Sequence, residues 1–406
     1  MYPTLYHFFY GIFGLEIPFL KIIPMLGFWI GVAFLAANWF SARELKRREG
    51  LGLIKSTFKT ITVGKPANPI ELFFNGLYGF FIGFKLFPIL SQSGMVKFFG
   101  DFELKPGESI TDDFVGFLLS GTGNVVAGLV VAAIMVYWKY REVNKEKLEN
   151  PIEKEIEIRP HEQMGNVTLI GILGGIGGAV LFATLEKPWL ITEYISNPSL
   201  GIGHLYNGLT VYGGVILSVI GCVYYFWKQK LPIAQYLDAI GPTVLFAYGV
   251  GRIGCQLAGD GDWGIDNLAP QPDFLAFLPD WIWAYDYPNN INNEGIIMEN
   301  SLFPDYNHKL ENPVYPTPIY EMIMCFGLFA FIWSLRKKLT APMMMFSIYV
   351  LVTGLERLLI ERIRINTEYG SGLSQAEEIS IALIILGALG IFFSFKMHRK
   401  KEATTK

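Results

Sequence analysis

Charged residues are scarce in this chain. Asp, Glu, Lys and Arg make up 17% of its 406 residues and hydrophobic types 51%, against the roughly 25% charge of a soluble domain. That shortfall argues against a water-soluble globule. Cysteine is scarce as well: Cys222, Cys255 and Cys325 are odd in number and each lies in or beside an apolar run, so no disulfide framework is expected. The five histidines do not cluster and no Cys-x-x-Cys occurs, so neither a metal nor another cofactor is expected. Asp260-Gly261-Asp262 is too short for a calcium loop. A net charge of −3 without a basic stripe argues against a nucleic-acid partner. No basic segment leads into an apolar one at the start, so neither a cleaved signal nor a lipoprotein signal is expected.

What the chain has instead is apolar length. Runs at 22–40, 69–90, 114–138, 165–185, 210–227, 239–254, 319–335, 342–359 and 380–395 approach the roughly 20 residues that cross a bilayer as a helix. They imply an all-α polytopic membrane protein of about nine transmembrane helices. Basic residues follow every second run, among them Arg43, Lys139, Lys228, Arg336 and Lys396. The positive-inside rule makes those turns cytoplasmic, with the N-terminus outside and the C-terminus cytoplasmic.

Five segments follow from this reading: 1–65 with the first span, 66–164 with a pair of spans and a charged cytoplasmic linker, 165–258 with core spans, an outer loop at 259–318, and 319–406 with the last spans and a basic tail. Asp101, Glu108, Asp112 and Asp113 fall outside. So does the outer loop, whose Phe274, Phe277, Trp281, Trp283, Tyr285 and Tyr287 suit a strip along the headgroup layer, although a solvated loop could also hold them. Gly174, Gly175, Gly177 and Gly178 read as a helix-packing face, and Lys85 as a side chain snorkelling to the outer interface.

Residues 251–264, G-R-I-G-C-Q-L-A-G-D-G-D-W-G, carry an arginine and two aspartates straight out of an apolar run. An arginine in hydrocarbon costs about 2.5 to 3.5 kcal/mol on insertion scales, which points to use on a ligand or an internal partner. Gly251, Gly254, Gly259, Gly261 and Gly264 let backbone N–H groups come close to a polar ligand. Arg357, Glu361 and Arg364 share a helix face by their i, i+4, i+7 spacing, whereas Glu356 and Arg362 point elsewhere. Glu361 can neutralise one arginine and leave the other to grip an anion, so that with Arg252 the face forms a phosphate clamp; a structural bridge between helices is the alternative. Tyr212, Tyr320 and Glu321 fall at the same outer boundary. Asp260 and Asp262 could be bases, caps or counter-ions, and His204 reads more simply as a loop residue.

These residues resemble the prolipoprotein diacylglyceryl transferase family. The likeness rests on G-R-I-G-C-x-x-x-G-D…W-G, on Y-P-T-P-I-Y-E at 315–321 and on G-L-E-R-L-L-I-E-R-I-R at 354–364. Asp238, Pro242, Tyr212-Gly213-Gly214, and Leu373-Ser374 leading to Ser380 add to it. The resemblance implies transfer of the diacylglyceryl group of phosphatidylglycerol to the lipobox cysteine of a prolipoprotein signal peptide, with loss of glycerol phosphate. It places the reaction at the outer leaflet of a bacterial plasma (inner) membrane. Arg252, Arg357, Glu361, Tyr212 and Asp260 are then the expected catalytic residues. Arg252, Arg364, Gly251, Gly254, Gly259, Gly264, Gly213, Gly214, Tyr320 and Glu321 are expected to bind substrate.

The chain departs from the family at several points. Tyr212 stands where His is usual, Cys255 where Asn is usual, Asp260 where Glu is common and Leu26 where Tyr is usual, and one residue is inserted before Trp263. Tyrosine, with a free pKa near 10, is a poorer base at neutral pH, so the base stays open among Tyr212, Asp260 and Tyr320. The family commonly has seven spans, which makes the pair at 69–138 an insertion of even number that preserves orientation. A homologue that binds lipid or precursor without catalysis is the first rival. A transporter is the second, disfavoured because the charges sit at one rim and no inverted repeat is visible.

Overall fold

The structure is a computed structural model that describes residues 1–92, 121–145, 147–197, 210–365 and 372–405. In chain order it holds α1 (Leu5–Phe13), α2 (Met25–Gly50), β1 (Thr57–Val63), α3 (Pro69–Gln92), α4 (Val125–Lys145), β2 (Ile152–Ile158), α5 (Met164–Glu186), α6 (Trp189–Ser196), α7 (Val211–Lys228) and α8 (Ile233–Ala258). Then come β3 (Ile296–Ile297), β4 (His308–Lys309), α9 (Thr317–Leu335), α10 (Met344–Glu361) and α11 (Gln375–Thr405). Each apolar run holds a helix among its described residues. Five of these helices, α2, α3, α5, α9 and α11, are long and apolar enough to cross a membrane. Two of the others, α8 and α10, carry the charged residues of the site within their length. The chain is a multi-pass membrane protein whose helices turn large apolar side chains outward, Leu35, Trp227 and Leu359 among them.

The hub is α8, which packs on α2, α9 and α10, while α5 pairs with α7 and α10 with α11. Glycine permits the closest of these contacts. A Cβ on Gly178 would lie 2.2 Å from the carbonyl oxygen of Gly213, and one on Gly214 would lie 2.6 Å from that of Gly175. The glycines at 174, 175 and 178 are thus packing residues, and so are Gly213 and Gly214, which were expected to border a ligand. Gly254 has the same role: a Cβ there would come 2.9 Å from Trp29 on α2.

At the opposite end of the bundle from the arginine motif, Glu44 on α2 accepts from Arg47 and Arg48, and Arg48 reaches Asp238 at 3.6 Å. Asp238 in turn accepts from the backbone N–H groups of Met343 and Phe346, both at 2.9 Å, which caps the start of α10. An apolar cluster of Leu45, Met164, Val167, Phe226 and Tyr236 closes that end.

The helices α3 and α4 form a hairpin of their own, packed chiefly on each other. Gly79 and Gly83 lie against the backbone of α4 at Ala132 and Ala127. Lys85 does not snorkel: it is buried and donates to the carbonyl oxygen of Thr122 at 2.9 Å. The strands β1 and β2 pair antiparallel, Thr57 opposite Ile158 and Val63 opposite Ile152, and so join the hairpin to α2 and α5. The run at 114–138 is helical from Val125, after a non-helical stretch at 121–124; residues 114–120, the acidic residues at 101–113 and His204 lie outside the described residues.

Residues 259–316 fold as a compact cap over one end of the bundle. Its core is Trp263, Tyr287, Leu310 and Val314. Asn290, fully buried, donates to the carbonyl oxygens of Tyr287, Glu294 and His308 and holds the turns together. The aromatic strip therefore splits, with Tyr287 buried in the cap and Phe274 and Phe277 at 75% and 79% exposure on its outside.

Candidate active site

The charged motifs meet where α8, α9 and α10 end against the cap. Arg252 comes from the last turns of α8, Glu321 from the second turn of α9, Arg357 and Glu361 from the last turns of α10, and Arg364 from just beyond it. Helices alternate in direction along the chain, so an end, a start and another end share one rim.

Glu321 is the centre. It is completely buried, yet its carboxylate contacts three guanidinium groups: Arg252 through Nε, Arg357 at 3.3 Å and Arg364 at 3.5 Å. Asp262, beyond the end of α8, bridges Arg252 and Arg364, the latter at 2.7 Å. Glu361 pairs with Arg357 at 2.8 Å and accepts from the Ser374 hydroxyl at 2.9 Å. Three guanidiniums thus face three carboxylates. The expected arrangement, with one arginine of the Arg-Glu-Arg face left free, does not occur because carboxylates arrive from α9 and from the cap as well.

Arg252 is held by one further residue. Tyr248, one turn earlier on α8, accepts from Nη2 through its hydroxyl and lies under the guanidinium, 4.7 Å from ring centroid to Cζ. The i, i+4 spacing of Tyr248 and Arg252 was the available sequence signal. Glu356 also belongs here. Off the Arg357–Glu361 face of α10, it is buried and lies within electrostatic range of Glu321, Arg252, Arg357 and Arg364. Arg362 does point away, exposed and 3.5 Å from Glu377.

Burial tends to raise the Asp262 carboxyl, but Arg252 and Arg364 outweigh it and hold the group below the usual carboxylate range. Asp260 behaves oppositely: burial first and the neighbouring Asp262 second push it up. Cys255 lies between them, its Sγ 3.5 Å from Arg252 Nη1 and 3.6 Å from Asp262 Oδ2. Cys255, Asp260 and Asp262 bring ligand-type atoms within 4.8 Å of one another. Two guanidiniums already occupy Asp262, which opposes a cation at that trio.

The remaining expected residues divide. Tyr212 opens α7 within electrostatic reach of Arg357, Glu361 and Arg364. Gly251 faces open space. Gly259 ends α8 in the left-handed region with φ 63°, a conformation that suits glycine. Gly264 pairs with Arg364 as an isolated β-bridge, and a Cβ there would lie 2.3 Å from the Ile363 carbonyl oxygen. Its small size lets the cap approach α10, so packing explains it. Tyr320 faces the cap and donates to the Ile282 carbonyl oxygen at 2.7 Å; it anchors the cap and does not point into the charge cluster.

The family description for prolipoprotein diacylglyceryl transferase matches residues 124–393. That span begins at α4 and includes every residue of the charge cluster. A phosphatidylglycerol–prolipoprotein diacylglyceryl transferase from Clostridium tetani is 28% identical over 294 residues, which are 71% of this chain and 97% of the relative. The protein of the same name from Dehalococcoides mccartyi is 27% identical over 59% of this chain and 80% of its own length. One from Corynebacterium glutamicum is 23% identical over 68% and 78%. With the family match covering well over half of the sequence, the chain belongs to the prolipoprotein diacylglyceryl transferase family.

Proposed function

We propose that this protein transfers the diacylglyceryl group of phosphatidylglycerol to the lipobox cysteine thiol of a prolipoprotein. The observation that carries the reading is the convergence of Arg252, Arg357 and Arg364 on the buried Glu321 at a bundle rim. In the reaction the sulfur attacks the glyceryl carbon that bears the phosphate. The carbon–oxygen bond breaks, glycerol phosphate leaves with the electron pair, and the thiol proton goes to a base. Charge builds on the leaving phosphate, so prearranged guanidiniums stabilise the transition state more than the ground state.

The carboxylates hold each guanidinium plane in place before the lipid arrives. Asp262, the most exposed of the three at 35%, is the one that a phosphate can replace between Arg252 and Arg364. Asp260, with its raised proton affinity, accepts the thiol proton. Tyr212 supplies a hydroxyl to the glyceryl or phosphate oxygens beside Arg357. Glu361 orients Arg357.

All nine long helices span the bacterial plasma membrane in this reading, the N-terminus outside and the C-terminus inside. The site then opens to the outer leaflet, where phosphatidylglycerol enters sideways and the signal peptide arrives. We read the segment 66–164 as a pair of spans added to a common core, of which the family match includes only the part from residue 124.

Purified protein given phosphatidylglycerol and a lipobox peptide should release glycerol phosphate in step with a thioether mass gain on the peptide. The changes at Tyr212, Cys255 and Leu26 favour one rival, a homologue that binds lipid or precursor and has lost transfer. Binding without turnover in that assay would establish the rival.

A further inference from the structure

The ribbon that carries the inserted hairpin has two chemically different faces. Antiparallel register puts Lys59 opposite Ile156, so these two share a face with Lys154, Ile152 and Ile158. The other face carries Glu153, Glu155 and Glu157, opposite Thr62, Thr60 and Phe58. Both lysines and the isoleucines of β2 are thus on one side, and all three glutamates are on the other. Strand β2 is exposed along nearly its whole length, so burial in the protein does not explain the division.

The bundle shows which way the lysine face turns. Lys59 and Ile158 line a cavity of about 330 Å³ together with Asn166 and Leu169 of α5, Tyr225 of α7 and Gln229 just after it. Asn166 donates to the Tyr225 hydroxyl at 3.0 Å, so polar groups sit at the helix ends. Leu169, one turn deeper on α5, is 55% exposed on the outer surface of the bundle. The cavity therefore runs from a lysine and amide groups to an apolar helix face that continues into the membrane. That sequence matches a phospholipid, with its phosphate at the polar end and an acyl chain along α5.

We infer that the lysine face of the ribbon rests on the inner leaflet and, with the ends of α5 and α7, binds the headgroup of an anionic phospholipid. The glutamate face is turned to the cytoplasm, away from the anionic surface that would repel it. This site lies at the opposite end of the bundle from the arginine cluster. Its assignment to the inner leaflet rests on the orientation proposed above.

The test uses the full chain in nanodiscs of phosphatidylcholine with or without phosphatidylglycerol. An environment-sensitive fluorophore is placed by Ile156→Cys or, on the other face, by Glu155→Cys, with the signal of the unsubstituted chain subtracted. The label at 156 should be quenched by nitroxide lipids, more strongly with phosphatidylglycerol present, while the label at 155 should stay unquenched. Equal quenching of both overturns the inference.

In native mass spectrometry the double variant Lys59→Gln/Lys154→Gln should retain phosphatidylglycerol roughly tenfold less than the parent, with phosphatidylcholine unchanged. Unchanged phosphatidylglycerol retention would overturn the headgroup site. Displacement of the lipid by millimolar inorganic phosphate would show an anion site that does not select a lipid, and would also overturn it. An impermeant thiol reagent applied to intact spheroplasts should leave position 156 unlabelled. Labelling from outside, with the quenching contrast intact, would overturn the orientation and keep the lipid contact.

Discussion

Arg252→Lys separates charge from geometry at the centre of the site. Three nitrogens of one plane serve three partners: Nη1 meets Asp262, Nε meets Glu321 and Nη2 meets the Tyr248 hydroxyl. An ammonium keeps the charge but gathers its donors at one point, and it cannot span partners on α8, α9 and the cap together. Alanine would be a poorer probe, because leaving Glu321 buried with one partner fewer risks about 3 to 5 kcal/mol of folding free energy. If the fork positions the leaving phosphate, its loss resembles removal of one oxyanion donor, about 2.7 to 4 kcal/mol in the transition state. At about 1.4 kcal/mol per tenfold, kcat/KM for phosphatidylglycerol should fall roughly 100- to 1000-fold. Glycerol phosphate release would be followed beside the thermal midpoint in detergent, which should move by only a few degrees. A folded Arg252→Lys protein within tenfold of the parent rate would refute the fork argument.

Asp262→Asn tests both pH dependence and substrate competition. A carboxyl depressed in the folded state contributes stability above its unfolded pKa of about 3.9, and that stability is lost as pH falls below it. The parent should lose thermal stability between pH 5 and 3 more steeply than the variant; parallel slopes would count against the Arg252 and Arg364 pairing. The same variant should lower KM for phosphatidylglycerol if the phosphate replaces Asp262, and an unchanged or raised KM would remove that step. Gly178→Ala forces a Cβ onto the Gly213 carbonyl oxygen at 2.2 Å and should cost about 1 to 3 kcal/mol of stability. A thermal midpoint equal to the parent's would show that α5 and α7 adjust freely. Tyr320→Phe removes one hydrogen bond to the cap, worth about 1 kcal/mol. It should loosen the cap to proteolysis while KM changes less than threefold; a tenfold rise in KM would return Tyr320 to the substrate site.

Length and hydropathy were sufficient to find the long helices, because a bilayer-spanning helix announces itself in one continuous window. Their ends were less legible where charge continues the helix. The apolar run of the first span ends at residue 40, yet α2 runs to Gly50 because Glu44 and Arg48 form a buried i, i+4 pair that keeps the extra turns. By composition, β2 of the ribbon belongs to a charged linker. Its alternation of isoleucine with glutamate has a strand period, but the partner strand lies a whole helical hairpin away in sequence, and pairing at that separation has no local signature.

The site shows the same boundary between local and long-range information. Spacing alone gave the Arg357–Glu361 pair, found at 2.8 Å, because both groups belong to one helix. Helix periodicity turned Glu356 off that face, yet the side chain is buried and not solvated. With α8 and α9 packed on one side of α10 and α11 on another, little of its circumference is left to point away. The convergence at one rim followed from alternating helix direction, which is a property of the whole chain, but the choice of Glu321 as the shared carboxylate is not. Position 321 is fixed only when α9 packs on α8 and α10 packs on both. The pairing of all three guanidiniums with carboxylates is therefore a tertiary property, and it bears on the proposed chemistry: in that reading a phosphate displaces a carboxylate from the arginines before the clamp acts. In the proposed reaction, substrate binding is then a substitution between anions, with selectivity set by which anion fits the held guanidinium planes better.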